Sequence, residues 1–185
     1  MLHKALITLI VLSLCSCGFR VIYRDTKNES EVSYTKELAA IRIKKDRSKL
    51  DQDLKNNLYD ILNPDQLKGE PKYFLILSIS ESITPTFITI TGSSGRNKIT
   101  LTIQYTLKNL KNAETISSGH TSVSDNYNVT DNRYGSVTAE NYLRSNLTKI
   151  ASQNIRNSLV NDFIELKQRC EEAKSNNDED FSCPL

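Results

Sequence analysis

Apolar and polar residues alternate along much of the middle of this 185-residue chain. In residues 99–107 every second side chain is large and apolar and the others are Thr or Gln, which is the period of a half-buried strand. Residues 73–91 alternate in the same way around Pro85, which predicts a long strand with a bend or bulge at the proline. Residues 116–127 are dominated by Ser and Thr, and this composition predicts a strand at a sheet edge or against a polar surface.

Two other segments have the spacing of amphipathic helices. The first begins after a candidate cap at Asp46 or Ser48, ends at Asn63-Pro64, and has the apolar stripe Leu50, Leu54, Leu58, Ile61 and Leu62. The second begins near Thr138, after a polar loop at 128–136, and its stripe comprises Leu143, Leu147, Ile150, Ala151, Ile155, Leu159, Phe163 and Leu166. A short first strand within residues 38–44 is indicated by Ile41 and Ile43.

The predicted element order is therefore β-α-β-β-β-α. Three consecutive antiparallel strands, joined by the first strand and covered by both helices on one face, make an α+β fold. We expect a two-layer sandwich with a mostly antiparallel four-stranded sheet, and we place this domain at residues 37–169.

The N-terminus has the pattern of a lipoprotein leader. After Lys4, an apolar run at 5–14 is too short to span a bilayer but suits a signal-peptide core. Leu14-Cys15-Ser16-Cys17 then places a small residue directly before Cys17, so we expect residues 1–16 to be removed and Cys17 to be acylated. The alternative is an ordinary secretory leader with incidental cysteines. Lipoproteins that stay in the inner membrane commonly have Asp directly after the acylated cysteine. This chain has Gly18 there, which permits delivery to the outer membrane. Residues 17–36 are predicted to form a lipidated tether.

Charge and cysteine content limit the classes of partner. Without Lys4, 23 basic residues stand against 22 acidic ones, a balance that argues against nucleic acid as a general partner. Cys170 and Cys183 are a candidate disulfide pair in an oxidising compartment, the alternative being a metal or redox pair. They flank an acidic stretch with few apolar residues, so residues 170–185 are predicted to be a disordered tail.

No catalytic motif stands out. The histidine that follows the leader, His120, has no carboxylate or cysteine at metal-ligand spacing, and a phosphate-binding loop and a nucleophile elbow are both missing from the sequence. We therefore expect a protein that is not an enzyme and has neither a metal nor a cofactor.

Three local features resemble the LptE family of lipopolysaccharide-assembly lipoproteins, in its alphaproteobacterial branch. The start Cys17-Gly18-Phe19-Arg20-Val21-Ile22-Tyr23 is similar to that of the family. The segment Asp125-Asn126-Tyr127-Asn128, with Tyr134 and Ala139, resembles its strand end and helix entry, and Asn146-Leu147 with Ala151, Ile155 and Leu159 resembles its last helix. The β-α-β-β-β-α order is also that of the family.

This resemblance implies a lipid-anchored protein on the periplasmic side of the outer membrane. Such a protein plugs an LptD-type β-barrel, supports the assembly of the barrel, and binds lipopolysaccharide during its insertion into the outer leaflet. The candidate lipopolysaccharide-binding residues are Arg96 and Lys98, at the turn between the second and third strands, and Arg133, in the loop before the last helix. They could also be ordinary solvated turn charges. The competing functions are a periplasm-facing binding or scaffold lipoprotein of another envelope complex, and a lipid-modifying enzyme.

Overall fold

The computed structural model describes residues 34–44, 48–88, 94–175 and Cys183. The predicted leader, Cys17 and the tether up to residue 33 lie outside these residues. The elements, in chain order, are α1 (Thr35–Ala39), β1 (Ile41–Ile43), α2 (Lys49–Leu62), β2 (Tyr73–Ile88), β3 (Ser94–Asn109), β4 (Thr115–Asn128) and α3 (Arg133–Ser175).

One sheet contains the strands in the order β1-β2-β3-β4. β1 lies parallel to β2, with Ile41 opposite Tyr73, and the other two pairings are antiparallel. A parallel neighbour requires a crossover connection, which α2 supplies. The predicted α+β fold, with two long helices on one face of a mostly antiparallel sheet, is confirmed.

The core lies between the sheet and the two long helices. Every apolar residue of the alternating run in β3 is buried, and so are Leu54, Leu58 and Leu62 of α2. The predicted stripe of α3 is buried as well, except for Ile150, which is 40% exposed. Ile150 is one residue off the row of i, i+4 positions that runs through Leu147 and Ala151, and it therefore points away from the sheet.

α3 is longer than predicted at both ends. It begins at Arg133 because the Asn132 side-chain oxygen accepts hydrogen bonds from the backbone N–H of Tyr134 (3.1 Å) and Gly135 (3.5 Å), which caps the helix. It continues to Ser175 because its buried face extends to Cys170, which is 4% exposed. Residues 170–175 are thus helical and not part of a disordered tail.

The domain also begins earlier than predicted. The compact unit starts at Tyr34, and Leu38, predicted to lie in the first strand, is in α1. Leu38 is 3% exposed in the core and Tyr34 packs against that core, so residues 34–36 belong to the domain and not to the tether. Within the described ranges, no helix has both the length and the apolar character that crossing a membrane would require.

Four local predictions are confirmed. Ser48 is the cap of α2, since its hydroxyl oxygen accepts the backbone N–H of Asp51 at 3.1 Å. β2 shifts register on both sides of Phe87, directly after Pro85, and β4 is an edge strand. Cys170 and Cys183 are joined by a disulfide with a sulfur–sulfur distance of 2.04 Å.

Candidate functional site

The sheet has a second face, opposite the two long helices, which we call the open face. Ile99, Leu101 and Ile103 of β3 point into the core, so the residues between them point to the open face. The cross-strand register then assigns the neighbouring residues. The polar residues of the open face are Arg42, Ser78, Ser80, Ser82, Thr84, Arg96, Lys98, Thr100, Thr102, Gln104, Thr106, Lys108, Ser118, His120, Ser122, Ser124, Asn126 and Asn128.

Charge on the open face is of one sign. Among the described residues it carries Arg42, Arg96, Lys98 and Lys108 and neither Asp nor Glu. Lys98 and Lys108 are ten residues apart on the same strand, which places their Cα atoms about 34 Å apart. The face is therefore a polar surface rich in hydroxyl and amide groups, with cations at both ends.

Two of the three predicted site residues lie together on this face. Arg96 and Lys98 are in β3 and not in a turn, because the hydrogen-bonded strands continue past them on both sides. Arg96 lies opposite Phe87 of β2 and Asn128 of β4, and Lys98 lies opposite Thr84 and Asn126.

Arg96 and its neighbours form an open concave surface. Its lining residues are Thr86, Phe87, Gly95, Arg96, Lys98, Ser124, Asn126 and Asn128. Arg96 donates from Nε to Asn128 Oδ1 at 3.1 Å, and the Thr86 hydroxyl donates to the Arg96 carbonyl oxygen at 3.2 Å. These contacts orient a guanidinium next to an ammonium, amide groups and a 61%-exposed phenyl ring. Such a set suits a ligand that has anionic and polar groups.

Arg133, the third predicted residue, is not part of this surface. It is the first residue of α3 and is exposed, and it follows the end of β4 that contributes Asn128. It therefore lies at the same end of the sheet as Arg96, but it does not line the concave surface. At the N-terminus of a helix its charge adds to the positive end of the helix dipole.

Sequence reasoning missed four residues of β4 and β2 that complete the surface, namely Asn126, Asn128, Thr86 and Phe87. The alternation in β4 does separate Val123 and Tyr127, which are buried, from the polar residues between them. Only the register shows which of those polar residues lies beside Arg96. His120 is exposed on the same face, opposite Gln104.

Behind the concave surface, on the core side, a polar network joins α3 to three strands. Arg144 donates from Nε to Glu81 Oε1 at 2.9 Å and also pairs with Glu140. Glu140 Oε2 accepts the Tyr127 hydroxyl at 3.2 Å, and that hydroxyl oxygen accepts Asn97 Nδ2 at 3.2 Å. The hydrogen bond to Glu81 raises the pKa of Arg144 above its ordinary value. The network holds the start of α3, which has no fully buried apolar residue before Leu143, against the sheet.

Solved structures of other proteins share this architecture. A protein of Caulobacter crescentus CB15 that is assigned as a lipoprotein is 21% identical over 71% of this chain and 95% of its own, with a TM-score of 0.58. The rare lipoprotein B of Shewanella oneidensis is 11% identical over 69% of this chain and 96% of its own, with a TM-score of 0.54. No protein-family model matches the sequence, and no curated protein does. At these identities the likeness concerns the fold alone, so this chain has a fold that is also found in proteins named as bacterial lipoproteins.

Proposed function

We propose that this protein is a non-enzymatic, outer-membrane lipoprotein of the LptE type, anchored through Cys17 on the periplasmic side. In this role it occupies the lumen of an LptD-type β-barrel, supports the assembly of that barrel, and binds lipopolysaccharide during its insertion into the outer leaflet. The leader that ends directly before Cys17 supports the anchor, and from β1 onward the element order of the domain is the one that the resemblance implies.

The observation that carries the proposal is the composition of the open face. The lumen of a transmembrane β-barrel is polar, and a plug must meet it with a polar surface. The open face supplies hydroxyl and amide groups along the strands, and its cations match the phosphates and acidic sugars of lipopolysaccharide. The absence of carboxylates among its described residues leaves nothing on that face to repel such a ligand.

Co-purification tests the barrel partnership. The lipidated protein, extracted from its native membrane in mild detergent, is expected to bring down a β-barrel of the LptD type in a stoichiometric complex. A Cys17→Ser variant of the same chain serves as the control for membrane attachment and should lose its acyl chains. Repeated recovery of the intact lipoprotein without a barrel would favour a binding or scaffold lipoprotein of another envelope complex.

Charge reversal on the open face tests the ligand. Arg96→Asp with Lys98→Asp is expected to weaken binding of purified lipopolysaccharide at least tenfold, because two charge-assisted contacts are replaced by repulsion. The matched control is Lys149→Asp with Arg169→Asp, which changes the net charge equally on exposed positions of α3.

Arg133→Asp alone separates the two parts of the predicted site. Since Arg133 lies outside the concave surface, its reversal is expected to weaken binding less than reversal of Arg96 and Lys98. Equal binding by the Arg96/Lys98 variant and its control would refute the assignment of the open face.

A further inference from the structure

The outer edge of β4 has backbone groups that face away from the sheet. The backbone N–H of Val129 donates to the Gly95 carbonyl of β3 at 3.1 Å, and the register stays regular from Asn128 back to Ser117. Successive residues of a strand direct their backbone groups to opposite sides, so the odd-numbered residues of β4 face β3. Ser118, His120, Ser122 and Ser124 therefore face outward, and we call these four residues the free edge.

No described strand pairs with the free edge, because β4 is the last strand of the sheet. All four residues are exposed. Edge strands of natural proteins are commonly blunted by Lys, Pro or a bulge, since an unprotected edge pairs with other chains. Residues 115–128 contain neither Lys, Arg nor Pro, and the irregularity in their pairing with β3 lies at the far end, beside Lys108.

The opposite side of the sheet provides an internal comparison. β1 covers only Tyr73–Leu75 of β2, so the rest of β2 also has an outer edge among the described residues. That edge carries Pro85 and shifts register on both sides of Phe87. Within the described part of the chain, one long edge is therefore protected and the other is regular and open.

The free edge ends at a carboxylate. Asp125 Oδ1 accepts the backbone N–H of Asn126 at 2.7 Å, which satisfies the next outward-facing donor along β4. Asp125 is exposed and makes no ion pair with a described residue. The outward donors without a described strand partner thus extend over residues 118–124, and a negative charge lies at one end of them.

We propose that the free edge binds an extended segment of the β-barrel partner by strand addition, and that a Lys or Arg of this segment lies beside Asp125. Main-chain hydrogen bonds supply the affinity in this mode of recognition, and the small hydroxyl side chains of Ser118, Ser122 and Ser124 leave the backbone accessible. The identity of the partner rests on the proposed function, whereas the location on β4 does not.

Hydrogen–deuterium exchange of the full lipidated chain, alone and in the purified barrel complex, tests the proposal. The amides of residues 118–124 are expected to exchange at least tenfold more slowly in the complex. If the complex forms and these amides exchange as fast as in the free protein, the inference is wrong while the proposed function stands. If the wild-type protein brings down no barrel, the proposed function and the barrel as partner of the free edge are both wrong.

Three substitutions add a test by mutation. Ser122→Pro removes an outward N–H without removing a bond to β3, a position where an edge strand tolerates proline. It is expected to reduce recovery of the barrel about tenfold, whereas Ser122→Ala, which keeps the N–H, is expected to leave recovery unchanged. Asp125→Asn keeps the side-chain acceptor for Asn126 and should weaken the complex in low salt only. If Ser122→Pro does not fold, hydrogen–deuterium exchange of residues 118–124 in the wild-type complex still tests the proposal.

Two results would assign the free edge to another occupant and overturn the proposal. The first is slow exchange at 118–124 in the isolated monomer, which would mean that another part of this chain covers the edge. The second is slow exchange in an isolated protein whose mass is that of two copies, which would mean self-association.

Discussion

Gly119→Ala is the substitution whose cost follows most directly from the geometry of the sheet. Gly119 of β4 lies opposite Tyr105 of β3, and the Tyr105 ring extends over it towards α3. A Cβ atom at position 119 would lie 2.5 Å from Tyr105 Oη and 2.7 Å from its Cζ. Ordinary contacts between such atoms are about 3.5–4.0 Å, so the ring has to move by about 1 Å.

The ring has little room for that movement. Tyr105 is 6% exposed, and burial raises the pKa of its hydroxyl, while a hydrogen bond with Ser158 acts in the opposite direction. Forcing an added group into a packed core costs about 1–3 kcal/mol of unfolding free energy. The gain from replacing a strand glycine offsets about 0.5–1 kcal/mol of this. The expected net loss is about 1–2 kcal/mol, which lowers the melting temperature by about 5 °C.

Thermal unfolding followed by circular dichroism measures the effect, with Gly69→Ala as the matched control. A Cβ at Gly69 meets no atom within 4 Å, and that variant should be as stable as the wild type or slightly more stable. Adding Tyr105→Phe to Gly119→Ala removes the nearest clashing atom, so the pair should cost less than the sum of the single changes. If Gly119→Ala melts within about 1 °C of Gly69→Ala, the proposed steric cause is refuted.

Three further perturbations have defined outcomes. The hydroxyl of Tyr73 is buried and has no hydrogen-bond partner among the residues that the structure describes, and burial raises its pKa above 10.0, so Tyr73→Phe should be neutral or stabilising. Above pH 10 the unfolded state loses that proton while the folded state keeps it, so wild-type stability falls with pH, and denaturant titrations should show a shallower fall in the variant. Arg144→Met removes the ion pairs with Glu81 and Glu140, which are partly exposed, and should lower the free energy of unfolding by about 1 kcal/mol in low salt and by less in high salt. An equal loss of stability at both salt concentrations would contradict the electrostatic cause. Cys183→Ser removes a cross-link between positions 13 residues apart and should lower the free energy of unfolding by up to about 3 kcal/mol. A thiol reductant should lower the melting temperature of the wild type but not that of the variant.

Periodicity predicted the elements that bury apolar side chains, because burial is what imposes the period. The strand at 99–107 and the stripe of α2 were predicted in this way and are confirmed. The edge position of β4 was one of two interpretations of its Ser/Thr-rich composition, and the strand order confirms it. The start of α3 escaped prediction because polar contacts hold it there, namely the Asn132 cap and the bond between Tyr127 and Glu140. α1 is five residues long, too short to show a helical period.

For a related reason, the sequence predicted only part of the candidate site. Arg96 and Lys98 were placed in a turn because the apolar alternation of β3 begins only at Ile99. In the structure the ladder of backbone hydrogen bonds continues past them on both sides, and that ladder does not depend on side-chain polarity. The same extension brings Asn126 and Asn128 beside the two cations.

The sequence alone therefore determined the cysteine pair, the types of the described elements other than α1, and the apolar faces, because these depend on local composition and spacing. The leader, which lies outside the described residues, stays a prediction. The tertiary structure decided which polar residues meet. Register places cations, amides and hydroxyls on one face without a described carboxylate, and strand order leaves the outer edge of β4 without a partner among the described strands. Both follow from main-chain hydrogen bonding between segments far apart in the chain, which the side-chain pattern of one strand does not encode.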